Sequence, residues 1–283
     1  MSKLIAMVDG SAYSESLCRS AAWIASRTGA VVEIVHVIRR PEQGAKQNLS
    51  GNITLGARTA LLEELAELDG ARARVAQALG REILADAEAL VRAGGVTDVS
   101  TKLRMGYFVD TLMELEDQAD LILMGKRGET SDDTARDLGS NFERAVRSVH
   151  GTVFVAARKY RPIKRVLVAY DGGQGVSLAL DDIVQNPLFE GLPHHLIHVG
   201  EESPRLQSEI GAIEARLTAA NRPASSEVRS GVPDNAIRAA VAEGEHDLLV
   251  MGAFGHSRVR AIFTGSVTAD LIRACRIPVM LYR

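Results

Sequence analysis

Short apolar, β-branched runs alternate with longer stretches whose apolar positions recur every three to four residues along this 283-residue chain. The short runs have the length of strands and the longer stretches carry the helical period. Strands are expected near 3–8, 31–37, 97–103, 120–124 and 152–156, then near 164–170, 194–199, 225–229, 247–251 and 278–282. Helices are expected near 12–28, 57–93, 108–117 and 139–149, then near 175–186, 203–221, 233–243 and 265–274. Strands alternating with helices predict a parallel sheet joined by crossover helices. Leu121-Ile122-Leu123-Met124 is apolar throughout, which fits a sheet covered on both faces.

The pattern occurs twice. Lys3 to Gly10 is echoed by Arg165 to Gly172, and Ile34-Val35-His36-Val37 by Leu196-Ile197-His198-Val199. Gly151 to Val155 is echoed by Ile277 to Leu281. The chain therefore reads as a tandem duplication, residues 1–159 and 160–283, with a polar, proline-bearing joint at Arg158 to Ile163. Between its second and third strands the first half holds roughly 35 residues more than the second, too many to leave unstructured. This insertion, about 40–95, contains a helical seam of Leu61, Leu65, Leu68, Val75, Leu79, Ile83 and Leu90. A surface helix packed on the sheet is the expected reading. The other is a lid or partner-binding arm.

Hydrophobic residues make up 46% of the chain and charged ones 24%, the balance of a globular protein. A formal charge of -3 gives no electrostatic reason to expect nucleic acid. Cys18 and Cys275 have no metal-ligand spacing, which suits buried packing residues in a reduced compartment. The N-terminus runs straight into a strand and no segment has the apolar length of a membrane span. A cytoplasmic location is expected.

The chemistry concentrates where two strands end. His246 to Val250 runs into Gly252, with Gly255 three residues on, and nine residues then separate Gly255 from Gly265-Ser266. Val267 to Arg273 follows with a helical pattern. Glycines at a strand end let a ligand approach the backbone, and a helix start offers unpaired N–H groups to anions. The Ser266 hydroxyl adds a donor. A nucleotide phosphate chain fits such a pocket. In the first half, Gly125 and Gly128 have the same spacing, but ten residues separate Gly128 from Gly139-Ser140. Walker, dinucleotide-fingerprint and nucleophile-elbow motifs are absent from the sequence.

With Asp171, Gly172, Gly252, Gly255, Gly265 and Ser266 in this order, the second half resembles the universal stress protein family, whose ATP-binding members carry G-x2-G-x9-G-S/T. The resemblance covers essentially the whole chain, once per half. It implies an α/β fold of two tandem five-stranded parallel-sheet domains, Rossmann-like and akin to adenine nucleotide alpha hydrolases, with a crevice at the carboxyl edge. It further implies that Asp171 contacts ribose, that the Val199 backbone meets adenine, and that Gly252 borders the ribose. Gly255, His256, Gly265, Ser266 and Val267 would surround the phosphates of ATP or AMP, with Mg as a divalent cation on them. Domains of this family commonly pair through their fifth strands, here 152–156 and 278–282, and a homodimer is expected.

In the first half Asp9, Val37, Gly125, Gly128, Gly139, Ser140 and Asn141 stand in the matching positions. Its loop is one residue longer and holds Glu129, Asp132, Asp133 and Asp137, which repel phosphates, against Arg127 and Arg136. The second half is therefore expected to hold the nucleotide. A stress-response regulatory protein is the leading reading; a slow ATP hydrolase or phosphotransferase and a nucleotide-free protein-association scaffold are its rivals. Each single glycine has a plainer role in turns, and Asp9 and Asp171 one as helix caps. A bulky residue at Gly252 or Gly265 is expected to block ligand and spare the fold. His36 and His198 read as buried and satisfied, His194 and His195 as an exposed strand start.

Overall fold

The computed structural model describes residues 2–39, 55–126, 140–253, 271–273 and 275–283. In the first half β1 (Lys3–Val8), α1 (Ser14–Thr28), β2 (Val31–Arg39), α2 (Leu55–Ala93), β3 (Val99–Gly106), α3 (Phe108–Glu116), β4 (Leu121–Gly125), α4 (Ser140–Ser148) and β5 (Val153–Ala156) follow one another. The second half repeats the alternation with β6 (Val166–Ala169), α5 (Gln174–Gln185), β7 (His194–Val199), α6 (Pro204–Ala219), β8 (Ala224–Arg229), α7 (Pro233–Glu243), β9 (Leu248–Gly252) and β10 (Val279–Tyr282). Residues 271–273 are helical; the rest of the helix expected at 265–274 lies outside the described residues.

All ten strands form one sheet in the order β3-β2-β1-β4-β5-β10-β9-β6-β7-β8. Eight of its nine neighbouring pairs are parallel. The two fifth strands meet antiparallel, with Met280 opposite Phe154. Within each half, strand order reverses direction at the first strand, so a crevice opens there beyond the carboxyl ends.

Alternate residues of each strand feed two cores. Leu4, Ala6 and Val8 of β1 face one layer with α1, α2, α5 and α6. Ile5 and Met7 face the other, with α3, α4, α7 and residues 271–272. Local signals set the helix ends. Ser203 Oγ accepts the Leu206 N–H at 3.2 Å, and Pro204 occupies the first turn of α6. Gly29, at φ +70°, closes α1 by donating to the Ala25 carbonyl.

The long helix α2 departs from the expected packing. Gly80, Leu84, Ala87 and Val91 are buried; a Cβ on Gly80 would stand 2.8 Å from Leu103 and 2.9 Å from His36. Of the expected seam, Ile83 and Leu90 are partly buried against the core. Leu65, Leu68, Val75 and Leu79 are 45%, 49%, 69% and 51% exposed. The 65–79 part of the seam therefore points away from the sheet, while α2 packs through its C-terminal half, where Gly80 and Ala87 allow close approach.

Candidate functional site

Three segments of the second half converge at the carboxyl edge of its sheet: the β6–α5 turn and the ends of β7 and β9. The Tyr170 N–H donates to the Ile197 carbonyl at 2.8 Å, after which the chain turns. Gly172 has φ +72°, a left-handed conformation that glycine adopts without strain. Asp171 Oδ1 accepts the Gly173 N–H at 2.8 Å, an Asx turn that fixes the carboxylate just before α5. The first half repeats the device: Gly10 has φ +78°, and Asp9 Oδ1 accepts the Ser11 N–H at 3.0 Å. Neither Asp is the N-cap itself, a position held by Tyr13 and Gly173. Their structural role lies in the turn ahead of the helix.

The paired histidines support the same turns. His36 Nδ1 donates to the Val8 carbonyl at 2.8 Å and His198 Nδ1 to the Tyr170 carbonyl at 2.9 Å. His36 is buried and His198 partly so. In each half the carbonyl is that of the residue just before the Asp. Burial, and after it the nearby Glu209 and Asp171 charges, raises the Tyr170 hydroxyl above its ordinary range.

Backbone direction also aims at this crevice. Ile197 bonds toward β6, and the hydrogen-bonding side alternates along a strand. Val199, two residues on, directs its N–H and C=O to that side, past Ala169, the last β6 residue in register. A cavity of about 90 Å³ lies here, lined in part by Ala169, Asp171, Val199, Ile237, Met251 and Gly252. Its walls are mainly aliphatic and its rim carries the carboxylate.

Gly252 has a structural duty that its place in the motif does not reveal. A Cβ there would stand 3.0 Å from the Val176 nitrogen and 3.3 Å from the Gly175 carbonyl carbon. A Cβ on Gly175 would meet Gly252 Cα at 2.9 Å and the Tyr282 carbonyl oxygen at 2.8 Å. The start of α5 thus lies directly on the end of β9. A bulky residue at Gly252 strains this backbone contact, so the expectation that it spares the fold is corrected.

Among the expected ligand residues, Asp171, Gly172, Val199 and Gly252 come together. Gly255, His256, Gly265, Ser266 and Val267 lie outside the described residues. In the first half Asp9, Val37 and Gly125 share the corresponding edge, and Ser140 and Asn141 open α4. Gly128 and Gly139 lie outside the described residues. Here the crevice differs: a Cβ on Gly10 would stand 2.9 Å from Ile83 Cδ1, so α2 lies over the β1–α1 turn. Among the described residues, the matching Gly172 has only the Tyr170 hydroxyl within reach, at 3.9 Å.

Lys126, just after Gly125, is a buried residue that the sequence did not single out. Its Nζ donates to the Cys275 carbonyl and, at 3.4 Å, to that of Ile277, binding the first half to the second. Burial lowers its pKa to about 8.

A larger cleft of about 760 Å³ lies at the amino ends of β6, β9 and β10, beside Lys164, Arg165, His246, Asp247 and Arg276. Ligands of open α/β sheets sit beyond the carboxyl ends, so the smaller crevice is the candidate site. Near that cleft His195 stacks on His246 with centroids 5.6 Å apart, and its Nε2 lies 3.2 Å from Glu227. His194, expected at an exposed strand start, is buried at 1% exposure because it faces Phe189 in the core. Burial lowers its pKa to about 4. Among the described residues no cluster of His, Cys, Asp or Glu could hold a metal ion. No described helix is long and apolar enough to cross a membrane.

The model of the universal stress protein family matches residues 1–157 and 162–283. The chain is 32% identical to a universal stress protein of Synechocystis sp. over 287 residues, covering all of both chains. The crystal structure of a universal stress protein from Archaeoglobus fulgidus DSM 4304 superposes with a TM-score of 0.69 at 22% identity, covering 99% of this chain and 96% of that one. One from Pseudomonas aeruginosa UCBPP-PA14, a putative universal stress protein, gives 0.58 at 14% identity over 99% and 92%. Two family matches in succession, a full-length relative and the shared α/β fold agree: the chain is a tandem member of the universal stress protein family.

Proposed function

We propose that this protein binds an adenine nucleotide, ATP or AMP, in the second-half crevice and acts as a stress-response regulator. The observation that carries this reading is the grouping around the 90 Å³ cavity. Aliphatic walls from Ile237 and Met251 suit a flat ring, and the Val199 N–H and C=O suit its polar edge. Asp171, fixed by Gly173, presents a carboxylate that accepts hydroxyl hydrogens of a sugar. These groups match adenosine. Gly255, His256, Gly265, Ser266 and Val267 supply the phosphate cradle by their place in the motif, with Mg neutralising the phosphates. The division at residues 159 and 160 belongs to the same reading.

Asp9, Val37, Gly125, Gly128, Gly139, Ser140 and Asn141 make a weaker site. The carboxylates at 129, 132, 133 and 137 repel phosphate, and Ile83 lies against the Gly10 turn. Nucleotide released from freshly purified, denatured protein, together with calorimetric titration of ATP and AMP, tests the reading. One adenylate per chain, lost in Asp171→Ala and Gly265→Val but kept in Asp9→Ala, is the expected result. A folded protein with no measurable affinity for either nucleotide would defeat it. The association-scaffold reading would then stand. Accumulating ADP abolished by Gly265→Val would instead favour slow hydrolysis.

A further inference from the structure

The outward face of α2 has an order that its own fold does not use. Leu65, Leu68, Arg72, Val75 and Leu79 follow one another at spacings of 3, 4, 3 and 4 residues, the repeat of a coiled-coil seam. All five are exposed. The face that α2 turns to its own sheet carries Gly80, Leu84, Ala87 and Val91 instead. A seam without a partner among the described residues is suited to another helix.

The seam is also symmetric about residue 70. A two-fold axis at that level places Leu65 opposite Val75, Leu68 opposite Arg72, and Leu79 opposite position 61, which is also Leu. Charge is divided at the same point. Between positions 61 and 79, Glu63, Glu64, Glu67 and Asp69 precede it, while Arg72 and Arg74 follow. An antiparallel partner lays the acidic half over the basic half; a parallel partner overlays like on like. Arg72, 79% exposed, lies 3.7 Å from Asp69 of its own helix and in the antiparallel register reaches the partner's acidic segment. A two-fold contact demands such self-complementarity.

We propose that the exposed 65–79 face of α2 is an isologous, antiparallel docking surface for a second copy of this chain. The strip spans about 21 Å of helix, a small contact by the standard of stable dimers, so the association is weak and concentration-dependent. The surface is distinct from the β5–β10 joint, which is satisfied within one chain.

Sedimentation equilibrium of the full chain across low to high micromolar concentrations tests the proposal. The expected result is a mass rising toward twice that of the chain, with association at least roughly tenfold weaker in Val75→Glu, which sets an acid against the partner's acidic segment. Helix content should persist in that variant, since Val75 is 69% exposed. Arg72→Glu should self-associate poorly and recover when mixed with Asp69→Arg. A short bismaleimide should link Leu65→Cys chains to Val75→Cys chains in a mixture. A chain monomeric at every concentration, unchanged association in Val75→Glu, or links of Leu65→Cys only to itself would each overturn the assignment.

Discussion

Gly175 and Gly252 touch backbone to backbone: a Cβ on Gly175 would stand 2.9 Å from Gly252 Cα. Two glycines from distant parts of the sequence let α5 begin on the end of β9, where Gly252 lines the crevice. Counted from Asp171, Gly175 corresponds to Tyr13 counted from Asp9. The first half therefore lacks this approach, and α1 starts two residues later than α5 by the same count.

Gly175→Ala should cost about 1–3 kcal/mol, the range for forcing extra atoms into a filled space. The atoms it meets are backbone and cannot swing aside. Gly211→Ala, in α6 with no described atom within 4 Å of its Cβ, should instead gain about 0.5–1 kcal/mol. Urea unfolding of both variants measures the contrast.

Asp171→Asn keeps an oxygen for the Gly173 N–H but removes the negative charge. Stability should change by less than ~1 kcal/mol, while nucleotide affinity falls roughly tenfold or more. Asp171→Ala loses the turn bond as well and should be less stable than Asp171→Asn. Titration calorimetry and thermal melts on the same samples separate the two effects.

His194 gives the fold an acid limit. Its ordinary pKa of 6.5 falls to about 4 in the folded chain, so the unfolded chain binds the proton more readily between those values. Stability should drop as pH falls from 6.5 toward 4, by about 3 kcal/mol for this residue. The loss should be absent from the stability curve of His194→Leu. A wild-type slope that survives the substitution assigns it to other groups.

Lys126 acts at the alkaline end with the same proton balance. Its pKa drops from 10.5 to about 8, so the folded chain gives up the proton first. Stability should rise between pH 8 and 10.5, by about 3 kcal/mol from this residue. Lys126→Met should flatten that rise, yet lose the bonds to Cys275 and Ile277. Denaturant midpoints of both proteins against pH provide the check.

The alternation of strands and helices was legible because buried parallel strands are apolar throughout and flanked by periodic helices. All ten strands stand within three residues of their expected ends. Asp171, Val199 and Gly252 were legible as a group through the family resemblance, and each closes or follows a strand on the same edge. The Gly175 contact was not, since a glycine carries no sign of its distant neighbour. Lys126 reads as a surface residue until the pairing of β5 with β10 brings Cys275 and Ile277 over it. In α2 two stripes compete, one of large residues and one of Gly80, Leu84, Ala87 and Val91. Hydrophobicity favours the first; close approach to the sheet selects the second.

The single antiparallel joint between Phe154 and Met280 sets the halves head to tail. The carboxyl ends of β1 and β4 leave one margin of the sheet, and those of β6 and β9 leave the other. A molecule seated in one crevice therefore sits too far from the other to be handed across or shared. Covalent fusion also frees the two from the identity that a symmetric pair of separate chains imposes. One side is at liberty to carry an acidic loop and a long helix while the other holds a shorter loop and no such insertion.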